Sequence, residues 1–204
     1  KRLERFEKKI VQKEGIQILF ITKNDELISF SKNYKIIPNK IFRKIVSKED
    51  QEIDIYKCIF LGHVDYEPNF DSIKRTSNLL NSINPKYKLH VVGRISSSSR
   101  FQLRKFKNIE IYGFVESFDE IFFNALCGFS LITRCTGMQN KVLDYFTNSI
   151  PAIVSKEVQN GLPFNSPAIV LEYEDHLLNI LKELQDPVKR NYIIDKGYKY
   201  LSNL

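Results

Sequence analysis

Residues 134–148, RCTGMQNKVLDYFTN, place a glycine turn, a lysine and a carboxylate on the first turns of a helix. The preceding run 128–133 reads as a buried strand and the segment from Gln139 as a helix. A strand that passes through a glycine turn into a helix N-terminus offers free backbone N–H groups and the positive end of the helix dipole, and both favour an anion. Lys141 would add a full positive charge, and Arg134, at the strand end, a second one. Asp144 lies three residues after Lys141 and so shares its helix face, about 4.5 Å along the axis. Its two carboxylate oxygens can accept from both hydroxyls of a diol. The plain alternative is an i,i+3 surface ion pair worth roughly a few tenths of a kcal/mol. For Arg134 the alternative is a surface ion pair, and Gly137 serves either close backbone approach to a ligand or a simple helix entry.

Other residues could join such a site. His63 follows Gly62 at the end of the apolar run 57–61, as a donor to phosphate or sugar or as a solvent-facing loop residue. Phe114 follows Gly113 and suits either stacking or core packing. Asn69 reads as a helix cap, His90 as a structural strand residue, and the four serines at 96–99 as a flexible loop, either a mobile lid or a solvated connection. Cys58, Cys127 and Cys135 are odd in number and lack metal-ligand spacing, so they read as reduced thiols without zinc. No GxGxxG motif, Walker lysine or Ser/His/Asp triad is visible.

The elements that must position these residues follow from the apolar pattern. Strand-length runs at 57–61, 89–92, 109–111, 128–133, 152–155 and 168–171 alternate with helical segments at 69–83, about 100–106, 118–126 and 139–148. Two more helices, 175–185 and 187–202, close the chain. The runs are apolar on both faces, as parallel strands covered on both sides require. The expected fold is therefore α/β, a Rossmann-like open parallel six-stranded sheet in the order 3-2-1-4-5-6 flanked by helices. Its first and fourth strands would be neighbours at the switch point, where ligands bind at the carboxyl ends. Gly62-His63 and residues 134–137 fall at those ends. Before this unit come an amphipathic helix within 1–14, a strand in 16–22, a short helix in 25–30, an extended piece at 35–37 stopped by Pro38, and a polar linker at 47–54.

Composition narrows the classes. With 204 residues, 43% of them hydrophobic, the chain can bury one domain with an appended segment. No apolar run is long enough to span a membrane, and no secretory leader is evident, so a cytoplasmic location is expected. The net charge of +7 is uneven, with 14 Lys and Arg against 9 Asp and Glu in residues 1–57. Interleaved acids there match an ordinary solvated helix face better than a nucleic-acid surface. The chain starts at Lys1 and its only methionine is Met138, which suggests a piece of something longer.

Taken in order, several segments resemble the C-terminal half of GT-B glycosyltransferases of the large retaining family 4. FLGHVDYEPN at 60–69 resembles the family's first strand, glycine turn and helix start. LHVVG at 89–93 resembles its second strand, and IEIYGFV at 109–115 its third strand and glycine loop. TGMQNKVLDYFTNSIPAIVS at 136–155 is similar to the family's GxxxKvlEa…PvV signature, with Asn160-Gly161-Leu162 as the following turn. KIIPN at 35–39 is like the segment joining the two domains. The resemblance implies that residues 56–204 form the nucleotide-sugar donor domain and that 1–55 are a remnant of the N-terminal acceptor domain with the interdomain linker. It implies no cofactor beyond a UDP- or GDP-hexose donor substrate, bound by Gly62, His63, Arg134, Thr136, Gly137, Lys141 and Asp144, with Phe114 and Val115 at the nucleobase. The acceptor, a sugar or lipid-linked sugar, would bind mainly to the missing domain, with peripheral contact at the inner membrane face and no nucleic acid. Two positions depart from the family: Asp144 stands where glutamate is usual, and Thr136 replaces the other glutamate of its E-x7-E pattern.

The expected reaction is retaining hexosyl transfer in surface polysaccharide or glycolipid assembly, with Lys141, the helix N-terminus and Arg134 carrying leaving-group charge and no obligatory metal. Rival readings are a nucleotide-sugar epimerase, a non-catalytic module of the same fold, and a basic nucleic-acid or membrane module using residues 1–57.

Overall fold

The computed structural model describes residues 2–21, 26–39, 52–135, 137–163 and 165–204. Six strands form one all-parallel sheet: β3 (Asp54–Leu61), β4 (Lys88–Val92), β5 (Ile109–Gly113), β6 (Ala125–Ser130), β7 (Ala152–Val154) and β8 (Ile169–Val170). Their order is β5-β4-β3-β6-β7-β8, which is 3-2-1-4-5-6 when counted from the first strand of this sheet. β1 (Ile18–Phe20) and β2 (Tyr34–Ile36) form a separate two-stranded parallel pair, preceded by helix α1 (Arg2–Val11) and connected through a 3-10 turn at Glu26–Phe30.

Alternation along each strand sends side chains to two apolar layers. Cys58 and Phe60 of β3 join Leu89, Val91, Cys127 and Phe129 on one face. That face is covered by α2 (Glu67–Ile83) through Ile73 and Leu80, by α3 (Ser97–Leu103) through Leu103, and by α7 (Leu177–Leu184) through Leu177, Leu181 and Leu184. Ile59 and Leu61 point the other way, toward α4 (Asp119–Phe122), α5 (Asn140–Thr147), α6 (Lys156–Gly161) and α8 (Pro187–Ser202), through Phe122, Val142, Tyr145, Phe146, Val158 and Tyr200. Cys58 and Cys127 meet between neighbouring strands as free thiols. No described helix is long and apolar enough to cross a membrane.

Several expectations shift. The fourth strand runs over Ala125–Ser130 rather than 128–133, and the helix expected through 126 stops at Phe122. Phe123 leaves the helix with ψ of 133°, and Asn124 turns the chain into the strand with a left-handed φ of 54°, a conformation asparagine tolerates. The four serines are not a loop: Ser96 accepts from the Ser99 N–H as an N-cap and the next three begin α3. Asp65 fixes that cap by accepting from both the N–H and the hydroxyl of Ser96, at 2.8 and 2.6 Å. The turn expected at 160–162 is the end of α6, a helix capped by Ser155. Of the expected linker, residues 47–51 lie outside the described residues, and Asp54 opens β3.

Candidate nucleotide site

The site forms where β3 and β6 part. Their ladder runs to the Ile59–Gly128 pair, and beyond it the Tyr145 hydroxyl fills the gap, accepting from Leu61 N–H at 2.9 Å and donating to Phe129 C=O at 3.0 Å. Gly128 makes room for that ring, since a Cβ there would lie 2.6 Å from it. Burial pushes the Tyr145 hydroxyl pKa upward, so it stays a neutral bridge. The Tyr145 bridge thereby holds β3 and β6 apart at the switch point while satisfying the Leu61 N–H and the Phe129 carbonyl.

Three glycines, Gly62, Gly93 and Gly113, stand in a row at the ends of β3, β4 and β5. Gly62 donates to the Val92 carbonyl and Gly93 to that of Gly113. Gly93 has φ of 137°, and a Cβ on it would fall 1.9 Å from the Gly62 carbonyl oxygen. No side chain fits there. At Gly62, with φ of 149°, the nearest atoms to such a Cβ are the Lys141 ammonium and the Asn69 amide nitrogen, both at 3.1 Å.

Lys141 is the centre of the arrangement. On the first turn of α5, it is only 8% exposed. Its Nζ donates to Asn69 Oδ1 at 2.7 Å and sits 4.3 Å from the centroid of the Phe60 ring. Burial lowers its pKa to about 7, against a weaker opposing effect of the Cys135 sulfur. The lysine therefore reaches across the switch point from α5 to α2. Asn69 occupies the first turn of α2, but Tyr66 holds the N-cap position, so Asn69 is not the cap. Its amide instead accepts from Lys141 and donates to the His63 carbonyl at 2.8 Å, tying the glycine turn to both helices. Its partner lies 72 residues away in the chain, and the sequence signal for this role is its place after Pro68 in the segment that resembles the family's helix start.

The remaining expected residues sit around this centre. Gln139, at the N-cap of α5, makes no side-chain cap hydrogen bond, which leaves first-turn N–H groups for a ligand. Asp144 lies one turn past Lys141 and is half-buried. Gly137 has nothing within 4 Å of where a Cβ would be, and its carbonyl accepts from the Cys135 thiol at 2.9 Å. Arg134 is exposed. The His63 side chain is also exposed, with Nε2 3.6 Å from Asp65. Phe114 is 68% exposed, which removes the core-packing alternative, and the Arg94 guanidinium lies 5.6 Å from its ring centroid. Val115 packs on the core instead. Thr136 lies outside the described residues. Asn39, from the segment before the sheet, donates to Asn140 at the start of α5 at 2.9 Å.

No family model and no curated protein matches the sequence. Among solved structures the chain is similar to TarM of S. aureus, with a TM-score of 0.74 at 11% identity over all of this chain and 43% of that one. HepE of Anabaena in complex with UDP-glucose gives a TM-score of 0.74 at 11% identity over 98% of this chain and 62% of that one. WaaG, a glycosyltransferase involved in lipopolysaccharide biosynthesis, gives 0.66 at 13% identity over 96% and 61%. The chain thus spans about half the length of the structures it matches. Over that span it has the GT-B glycosyltransferase fold.

Proposed function

We propose that this chain is the donor-binding, C-terminal half of a nucleotide-sugar-dependent glycosyltransferase, with the diphosphate between the Gly62 turn and the α5 N-terminus. The observation that carries the reading is Lys141: a buried amine beside a bare glycine turn, above a helix start that no Gln139 cap bond closes. A bound diphosphate would supply the negative charge that such an amine favours, and its oxygens would take the free N–H groups. Asp144 would hold the ribose, Phe114 with Arg94 would flank the base, and Arg134 would add charge at the leaving group. Gly137, His63 and Thr136 complete the donor set, and Val115 supports Phe114 from the core. UDP is the favoured nucleotide, since HepE was solved with UDP-glucose and the pneumococcal O-GlcNAc transferase GtfA with UDP and GlcNAc.

The chemistry is hexosyl transfer with retention, in assembly of a surface polysaccharide or glycolipid. Residues 1–55 then belong to the acceptor domain and its connection, and the chain needs the rest of that domain to position an acceptor. Calorimetric titration with UDP, GDP and ADP tests the reading. One nucleotide should bind selectively, and Asp144→Ala should weaken it; Lys141→Ala should weaken it by about 1.5–3 kcal/mol, the range for charged hydrogen bonds. Binding of none of the three would sink the proposal. A non-catalytic nucleotide-sugar module is the second reading, favoured by Thr136 and Asp144 in place of glutamates. It predicts nucleotide binding without transfer when the acceptor half is supplied.

A further inference from the structure

A second cleft, of about 460 Å³, opens at the carboxyl ends of β6, β7 and β8 and shares no lining residue with the candidate donor set. Its wall includes Thr133, Lys156, Glu157, Glu172 and Tyr173, with Arg75 reaching in from α2. The backbone beneath is fixed: Leu171 N–H donates to Val154 C=O at 2.8 Å and Ser155 N–H to Ser130 C=O at 3.1 Å. Ser155 is buried and its hydroxyl is spent on the Ile132 carbonyl.

The chemistry of this wall differs from that of the donor site. Two cations, Arg75 and Lys156, are balanced by Glu157 and Glu172, and Arg75 is further paired with Glu174 at 2.9 Å. A phosphate would meet carboxylates, and an apolar ligand would strand the polar rim. Tyr173 is 62% exposed, with its ring held edge-on by His176 at 5.2 Å between centroids. An exposed aromatic face beside carboxylates, an ammonium and the Thr133 hydroxyl matches a pyranose, whose C–H face stacks while its hydroxyls both donate and accept. Thr133 also directly precedes Arg134, so the cleft adjoins the donor site along the chain.

We propose that this cleft binds a neutral pyranose unit of the acceptor, an assignment that rests on reading the chain as the donor-binding half. The test is saturation-transfer NMR on the 204-residue chain. The probes are methyl α-glucopyranoside, methyl α-galactopyranoside and methyl N-acetyl-α-glucosaminide, each alone and with UDP. At least one probe should be saturated, and its signal should persist with UDP present and in Lys141→Ala. Tyr173→Ala should reduce the signal at least fivefold, Tyr173→Phe should restore it, and Glu172→Gln should weaken it. Saturation of no probe overturns the proposal, as does displacement by UDP or indifference to Tyr173→Ala. The UDP signal reads the donor site separately. UDP without sugar leaves the donor half standing and refutes the cleft, whereas sugar without UDP refutes the donor half and with it the assignment of the bound pyranose to an acceptor.

Discussion

Replacing Lys141 by methionine should make the empty protein more stable while destroying its capacity for a nucleotide. The amine is 8% exposed and its pKa falls from 10.5 to about 7 through burial. The folded pKa lies below the unfolded one, so between pH 7 and 10.5 the unfolded chain binds more protons, and stability rises with pH through that window. Below pH 7 the whole penalty applies, about 4–5 kcal/mol for a shift of this size. Methionine removes it and keeps the apolar stem against Phe60. It leaves Asn69 Oδ1 without its donor, a loss of about 1–3 kcal/mol. The net expectation is a gain of about 1–4 kcal/mol near pH 6.5, from the difference of those two terms. Urea unfolding at pH 6.5 and 10.5 reads it directly: the variant should lead at the lower pH and lose that lead at the higher. A variant at least 1 kcal/mol less stable than the parent at pH 6.5 would show instead that the lysine holds the fold together. A residue kept at a cost to stability is the pattern expected of a binding group.

Three further outcomes follow from the same geometry. If UDP seats its diphosphate on Lys141, binding takes up a proton, and calorimetry should show the apparent affinity falling about tenfold per pH unit above pH 7; a flat profile from pH 6 to 9 contradicts contact with that amine. Gly93→Ala places a methyl group 1.9 Å from the Gly62 carbonyl at a φ of 137° and should destabilise by about 3 kcal/mol or more in urea. Tyr145→Phe strips the partner from the buried Leu61 N–H and Phe129 C=O and should lose about 2–4 kcal/mol in the same assay, whereas an unchanged midpoint would mean that water replaces the hydroxyl.

The sheet was legible because its strands are apolar on both faces, and the parallel connection rules then leave few orders. Cys58 with Phe60 and Ile59 with Leu61 fill opposite layers, which is the pattern the sequence displays. Short elements were less so. The six residues of α6 cover fewer than two turns, and the Asn124 turn before β6 depends on a backbone angle rather than on polarity. The serines at 96–99 read as a loop because their cap is completed by Asp65, 31 residues upstream. For the site, the glycine turn and the Lys141–Asp144 spacing were visible, but the depth of Lys141 was not. It follows from Asn69 and Phe60, which lie 72 and 81 positions away and meet the lysine only once β3 and β6 are neighbours. Tyr145 likewise reads as one more apolar position until its hydroxyl is found between two strands.

The most direct test of the central claim is a titration of the isotope-labelled chain with UDP followed by amide NMR. Glycine amides resonate apart from most others, so Gly62, Gly93, Gly113 and Gly137 can be followed individually. Gly62 and Gly137 should shift first and most, with Lys141→Met abolishing the effect while the rest of the spectrum stays folded. Saturable UDP binding that leaves Gly62 and Gly137 unmoved would contradict that claim and place the nucleotide elsewhere on the sheet.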